Sequence, residues 1–518
     1  MRIVVCSLIL LCVSFELLSQ DSLVRFKELT FSSPFEKRTF ERFRKKEVDL
    51  FSLFMANGNL LSDEKITAQR ARFYDYVRGT GYDKTAGKKN DKRIKLVYDK
   101  LHGEFLSKYI EKNRFEEVFY NGNFNCVSAT ALYALAFEEL KIPYTIKEQP
   151  SHVYLVAWPR DEQIVLQTTT PAGGYTAISN EFKMSFVRNL KDHKMISNQE
   201  FASRDNSALF DEYYFGKNSD IRLLDLAGLQ YVNDALYKCE EKQFEAAFIQ
   251  LEKAYMLYPS ERVIHLLVYS GAHAFDTRKL KDSTHAVLLA KLSRYKSYGI
   301  DPDVIVSEFG GITQKLLFDK GKKEQYRQYF NTVVGGLQDI KLRTDISFIY
   351  YYENARLFYN QAKFGESLAH IEEALALKPT HADAQSLFLG ALGQHLSSKG
   401  RDREVVDVLE KYTVRFPELE ANNHFNAMKG TAYLFQFHLG YGTNKIADGD
   451  RYRGLFEAII DKYPDMVINP DLIGQSYSMA AVYYYRKGQV AKARQLISTG
   501  LKYAPNNYEL IARQQMIR

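Results

Sequence analysis

Asn125-Cys126-Val127-Ser128-Ala129-Thr130 opens a helix-like run that continues through the apolar stretch Ala131 to Leu140 and stops at Lys141-Ile142-Pro143. A polar turn follows, then the strand-like run Ser151-His152-Val153-Tyr154-Leu155-Val156 and a second one around Ile164-Val165-Leu166-Gln167-Thr168-Thr169. A thiol at a helix start, beside an imidazole on a neighbouring strand, is what a cysteine nucleophile requires. The helix dipole and a nearby protonated histidine both favour thiolate over thiol. Working outward, Asn121-Gly122-Asn123 forms the loop before the thiol. Ile94 to Ile110 carries Leu96, Val97, Leu101, Phe105, Leu106 and Tyr109 at helical spacing, and most of Asp21 to Glu117 reads as helix. On the other side, Pro159-Arg160-Asp161 supplies a turn between the strands and Pro171-Ala172-Gly173-Gly174 ends the second.

From Leu224 the period becomes helical and repeats itself. Gln243-Phe244-Glu245-Ala246-Ala247, with Leu251, Ala254 and Pro259, aligns with Lys363-Phe364-Gly365-Glu366-Ser367, with Ile371, Ala374 and Pro379. Both align with Gln489-Val490-Ala491-Lys492-Ala493, with Ile497, Gly500 and Pro505. Small residues let paired helices approach, and the proline stops the second helix. These units resemble tetratricopeptide repeats, with the clearest copies at 228–261, 348–381 and 474–507 and a poorer one at 386–419. The stretch ending at Pro464 is longer than one repeat.

The region Ile94 to Tyr175 resembles the transglutaminase-like fold, a circularly rearranged relative of papain-type enzymes. Cys126, Leu140-Lys141-Ile142-Pro143, His152 and the Leu166-Gln167-Thr168-Thr169 segment fall in that family's order. The resemblance implies an α+β transglutaminase-like (papain-like) domain at 94–200, followed by an all-α tetratricopeptide-type helical repeat array at 224–518. Residues 21–93 form a helical segment ahead of it. The implied catalytic set is Cys126, His152 and Gln167, with Gln167 standing where the family carries aspartate. A Gln oxygen can orient the imidazole but lends it no charge, so the thiolate–imidazolium pair is weakened. The oxyanion would be held by the Cys126 backbone N–H and a donor such as Asn123 or Asn125, both of which also read as turn and cap residues.

Bulk properties set the frame. The 518 residues are too many for one core, and 46% hydrophobic with 26% charged residues is a globular composition. A net charge of +7 is modest, and clusters such as Lys88-Lys89-Asn90-Asp91-Lys92-Arg93 are interrupted by acid, so no nucleic-acid partner is expected. Met1-Arg2 and the apolar run Ile3 to Val13 read as a signal peptide over 1–20, which predicts a periplasmic or extracellular protein, membrane-associated only if that segment is retained as an anchor. A lipoprotein would use Cys12. Outside this segment only Cys126 and Cys239 remain, and a bridge between them is the competing explanation for both. No residue set has metal-ligand spacing and no glycine motif cradles phosphate, so no cofactor is expected. Two functions follow: a cysteine-dependent amide hydrolase or acyl transferase acting on peptide or protein substrates recruited by the repeats, or a non-catalytic binding scaffold with a degenerate transglutaminase-like domain.

Overall fold

The computed structural model describes residues 23–149, 152–159, 164–166, 180–215, 220–277, 283–397 and 403–517. The expected signal segment, the Cys12 alternative, Ser151 and Gln167 lie outside the described residues. The chain is predominantly helical, with two small sheets among the described residues. It divides into two compact units, 1–305 with 335–339, and 306–334 with 340–518.

The first unit is built around the Cys126–Leu140 helix. Asn125 caps it: its side-chain oxygen accepts the Ser128 N–H at 2.9 Å, while Ser128 Oγ accepts the Asn125 N–H at 2.9 Å. Every residue from Cys126 to Phe137 is buried, the alanines at 129, 131, 134 and 136 allowing neighbours close on several faces. A helix apolar all round belongs in a core. It packs against the helices Asp63–Arg78, Phe115–Tyr120 and Leu223–Glu240 and against the sheet. It ends where Lys141 takes left-handed geometry (φ 53°), so that the Ile142 N–H reaches Phe137 O at 2.9 Å, and Pro143 cannot extend it.

Strands β1 (Lys108–Tyr109) and β2 (Asn123–Phe124) pair in parallel. The helix over Asn90–Phe105 therefore stops short of the expected Ile110: Leu106 is already extended, and Tyr109 lies opposite Phe124 in the ladder. The tertiary pairing overrides the helical spacing of Leu106 and Tyr109, helped by Gly103 in the last helical turn. Strands β3 (Tyr144–Gln149), β4 (His152–Ala157), β5 (Ile164–Leu166) and β6 (Asp220–Ile221) form an antiparallel sheet in the order β5-β4-β3-β6. β4 lies where the alternation of Val153, Leu155 and Ala157 puts it, and its Val153 carbonyl accepts Thr130 Oγ1 of the central helix at 3.3 Å. The N-terminal Pro34–Arg44 helix is tied in by a buried pair, Glu36 with Lys253 Nζ at 2.8 Å, and Tyr231 Oη donates to the same carboxylate at 3.0 Å.

Four helix pairs share one turn: Leu223–Glu240 with Phe244–Leu257, Ile340–Asn360 with Phe364–Leu377, Asn423–Gly442 with Ile446–Lys462, and Pro470–Arg486 with Val490–Tyr503. The first pair belongs to the first unit and the other three to the second. In each, one residue is left-handed: Lys242 (φ 59°), Ala362 (φ 56°), Asn444 (φ 62°) and Gly488 (φ 74°). The next N–H returns to a carbonyl five residues back at 2.8–2.9 Å, from Gln243, Lys363, Lys445 and Gln489 respectively. The pair at 423–462 escapes the sequence alignment because its second helix has 17 residues where the others have 14, which moves Pro464 by almost one turn. Its helices touch at Gly440 and Gly449, where a Cβ on Gly440 would meet Gly449 N at 2.5 Å. The region of the poorer expected copy holds the helices Ala382–Ser397 and Arg403–Arg415.

Candidate functional site

Cys126 occupies the first position of its helix and is 4% exposed. Its sulfur faces the backbone of Val153, the residue after His152, so the fold brings the helix start and the histidine-bearing strand together. Burial pushes the Cys126 thiol up to about 11. The N–H groups of Val153, Val127 and Cys126 itself pull the other way, as a helix N-terminus should, and the Glu111 carboxylate adds to the upward push. Desolvation outweighs the amide dipoles, so the thiol is protonated at neutral pH. Cys126 and Cys239 are both free and buried, which disposes of a bridge between them.

His152 begins β4, half-buried, with its ring stacked on Tyr154 at 6.0 Å between centroids. Gln167, the third residue of the expected set, follows β5 immediately but lies outside the described residues. Of the two oxyanion candidates, Asn125 is committed to structure. Its oxygen caps the helix, and its Nδ2 donates to Glu111 O at 3.0 Å and Asn113 O at 3.2 Å. Asn123 sits in β2, its N–H held by Asn121 Oδ1 at 2.9 Å.

Three residues that sequence reasoning missed complete the surroundings of the thiol. Tyr109 and Tyr237 both lie within electrostatic reach of Cys126. Burial, with Cys126 and Glu111 adding to it, pushes the Tyr109 phenol up to about 12 and raises that of Tyr237 as well. The Tyr109 hydroxyl is buried without a hydrogen-bond partner among the described residues, whereas Tyr237 Oη donates to Glu111 O at 2.7 Å. Glu111, whose carboxyl is raised by burial and by Glu240, is the third. Nothing local marks Tyr109 or Glu111, and Tyr237 arrives from a distant repeat-like helix whose aromatic residues read as packing.

Chemically, the site offers one buried sulfur with fixed backbone donors around it, two phenols and the Glu111 carboxyl within electrostatic reach, and an imidazole on the residue before the Val153 amide. Among the described residues no cluster of histidine, cysteine and carboxylate could hold a metal ion, and no helix is long and apolar enough to cross a membrane. A scan against models of known protein families finds no match, and a comparison with curated proteins finds none.

Proposed function

We propose that this chain is an exported cysteine-dependent acyl-transfer protein of transglutaminase-like (papain-like) type, whose tetratricopeptide-like helices recruit a peptide or protein substrate. The observation that carries this reading is the Cys126 sulfur at a helix N-terminus, facing the Val153 amide beside His152. In the reaction, His152 takes the Cys126 proton as the sulfur attacks an amide carbonyl, and the oxygen becomes an oxyanion held by backbone N–H groups at the helix start. His152 then returns the proton to the leaving amine, the C–N bond breaks, and a thioester remains for water or a second amine to resolve. Gln167 is assigned the orienting of His152. Asn123 stays a candidate donor, while the side-chain N–H groups of Asn125 are spent on the Glu111 and Asn113 carbonyls.

The buried, protonated thiol favours a second reading, a binding scaffold that has kept the fold without the chemistry. One experiment separates the two. Incubated with p-nitrophenyl acetate, the enzyme acetylates Cys126, seen as a hydroxylamine-sensitive adduct, and His152→Ala slows this by roughly 10²–10⁴-fold. An adduct formed equally fast by His152→Ala, or none at all, leaves the scaffold reading standing.

A further inference from the structure

Between β1 and the Phe115–Tyr120 helix, residues 110–114 run outside any helix or strand alongside the start of the Cys126–Leu140 helix. The upstream end is pinned by the Ile110 N–H to Phe124 O at 2.8 Å. Asn125 Nδ2 bonds the carbonyls of Glu111 and Asn113 from beneath. Ser128 Oγ donates to Asn113 Oδ1 at 2.7 Å, and the Arg114 N–H reaches Glu117 Oε1 at 3.2 Å. The remaining ties run to the Leu223–Glu240 helix. Tyr237 Oη donates to Glu111 O at 2.7 Å, and Lys112 Nζ meets Glu240 at 3.0 Å and lies over the Tyr237 ring. Arg114 forks onto the buried Asp234 at 2.7 and 3.1 Å, and the Phe115 N–H reaches Gln230 Oε1 at 2.9 Å.

We propose that residues 110–114 form a strap that closes over Cys126 and is latched by the Leu223–Glu240 helix. The acyl-transfer reading says what the thiol is for; the strap says when it can be reached. A segment held by side-chain bonds, with no ladder of its own, opens locally at a cost far below global unfolding. The latch helix is also the first of a repeat-like pair, so an event at that helix is transmitted to the roof of the thiol through Tyr237 and Asp234.

The test is the rate at which iodoacetamide labels Cys126 and Cys239 in the full chain, read by peptide mass spectrometry. Tyr237→Phe removes one latch bond of ordinary strength and raises the Cys126 rate about fivefold. Lys112→Ala, at an exposed pair, raises it about twofold. Cys239 lies on the latch helix itself, so its rate stays constant if only the strap opens. An unchanged Cys126 rate in both variants, or an equal rise at the two cysteines, overturns the proposal. Faster labelling of Cys126 without any acetyl adduct keeps the strap and removes the acyl transferase. An adduct in the native chain with labelling unaltered in both variants does the reverse.

Discussion

Raising the pH on the folded chain tests the balance of forces at Cys126 directly. Its thiol stands at about 11 against an ordinary value of 9.0, because burial outweighs the amides of Val153, Val127 and Cys126. Two units of displacement leave roughly a hundredfold less thiolate at neutral pH than a free thiol carries, so alkylation should be slower by about that factor. The same displacement bears on stability. With the folded value above the unfolded one, the neutral thiol's contribution, of order 3 kcal/mol, is fully present below pH 9 and is lost as pH rises towards 11. Two measurements check this: the pH profile of iodoacetamide labelling at Cys126, and the pH dependence of urea unfolding compared between the native chain and Cys126→Ala. The labelling rate should climb steadily beyond pH 9, and the native chain should lose more stability than the variant over the same range. A labelling inflection at or below pH 8 would refute the reasoning, since it would mean that the helix amides and His152 prevail over desolvation.

Backbone geometry supplies further tests. Lys141→Gly should stabilise the chain by about 1 kcal/mol, because a left-handed lysine costs more than glycine's extra chain entropy, and an unshifted urea midpoint would show the φ of 53° to be unstrained. Ala362→Gly should stabilise by a similar amount and Gly488→Ala should destabilise by about 1 kcal/mol; Gly488 has open space around it, so only the dihedral is at issue, and shifts of the same sign would contradict the shared turn. Lys253→Met should cost about 3–5 kcal/mol in urea unfolding by stranding Glu36 in the interior, and a loss below 1 kcal/mol would mean that Tyr231 and Ser32 satisfy that carboxylate alone.

The elements that carry the candidate site were legible where a local pattern dictates them. The Cys126 helix had its cap, its alanines and its stop at Pro143, and β4 had its alternation. What the pattern could not convey was depth. An all-round apolar helix start implies burial, and burial works against the thiolate that the helix amides favour. Lys141 likewise hides a left-handed turn that a glycine would have announced. The helix pair at 423–462 was masked by three added residues, since proline spacing was the yardstick. Tyr237 was out of reach because only long-range packing brings it to Glu111.

The position of the latch helix in the chain has a consequence for synthesis. Tyr237 and Asp234 are made roughly 110 residues after Cys126, which at 5–20 residues per second is a delay of about 5–20 s. For that interval the strap over the nascent sulfur is present but unlatched, leaving the thiol open to any oxidant or electrophile around it. A chaperone or reductant acting in those seconds would determine what fraction of the molecules reach maturity with that thiol intact.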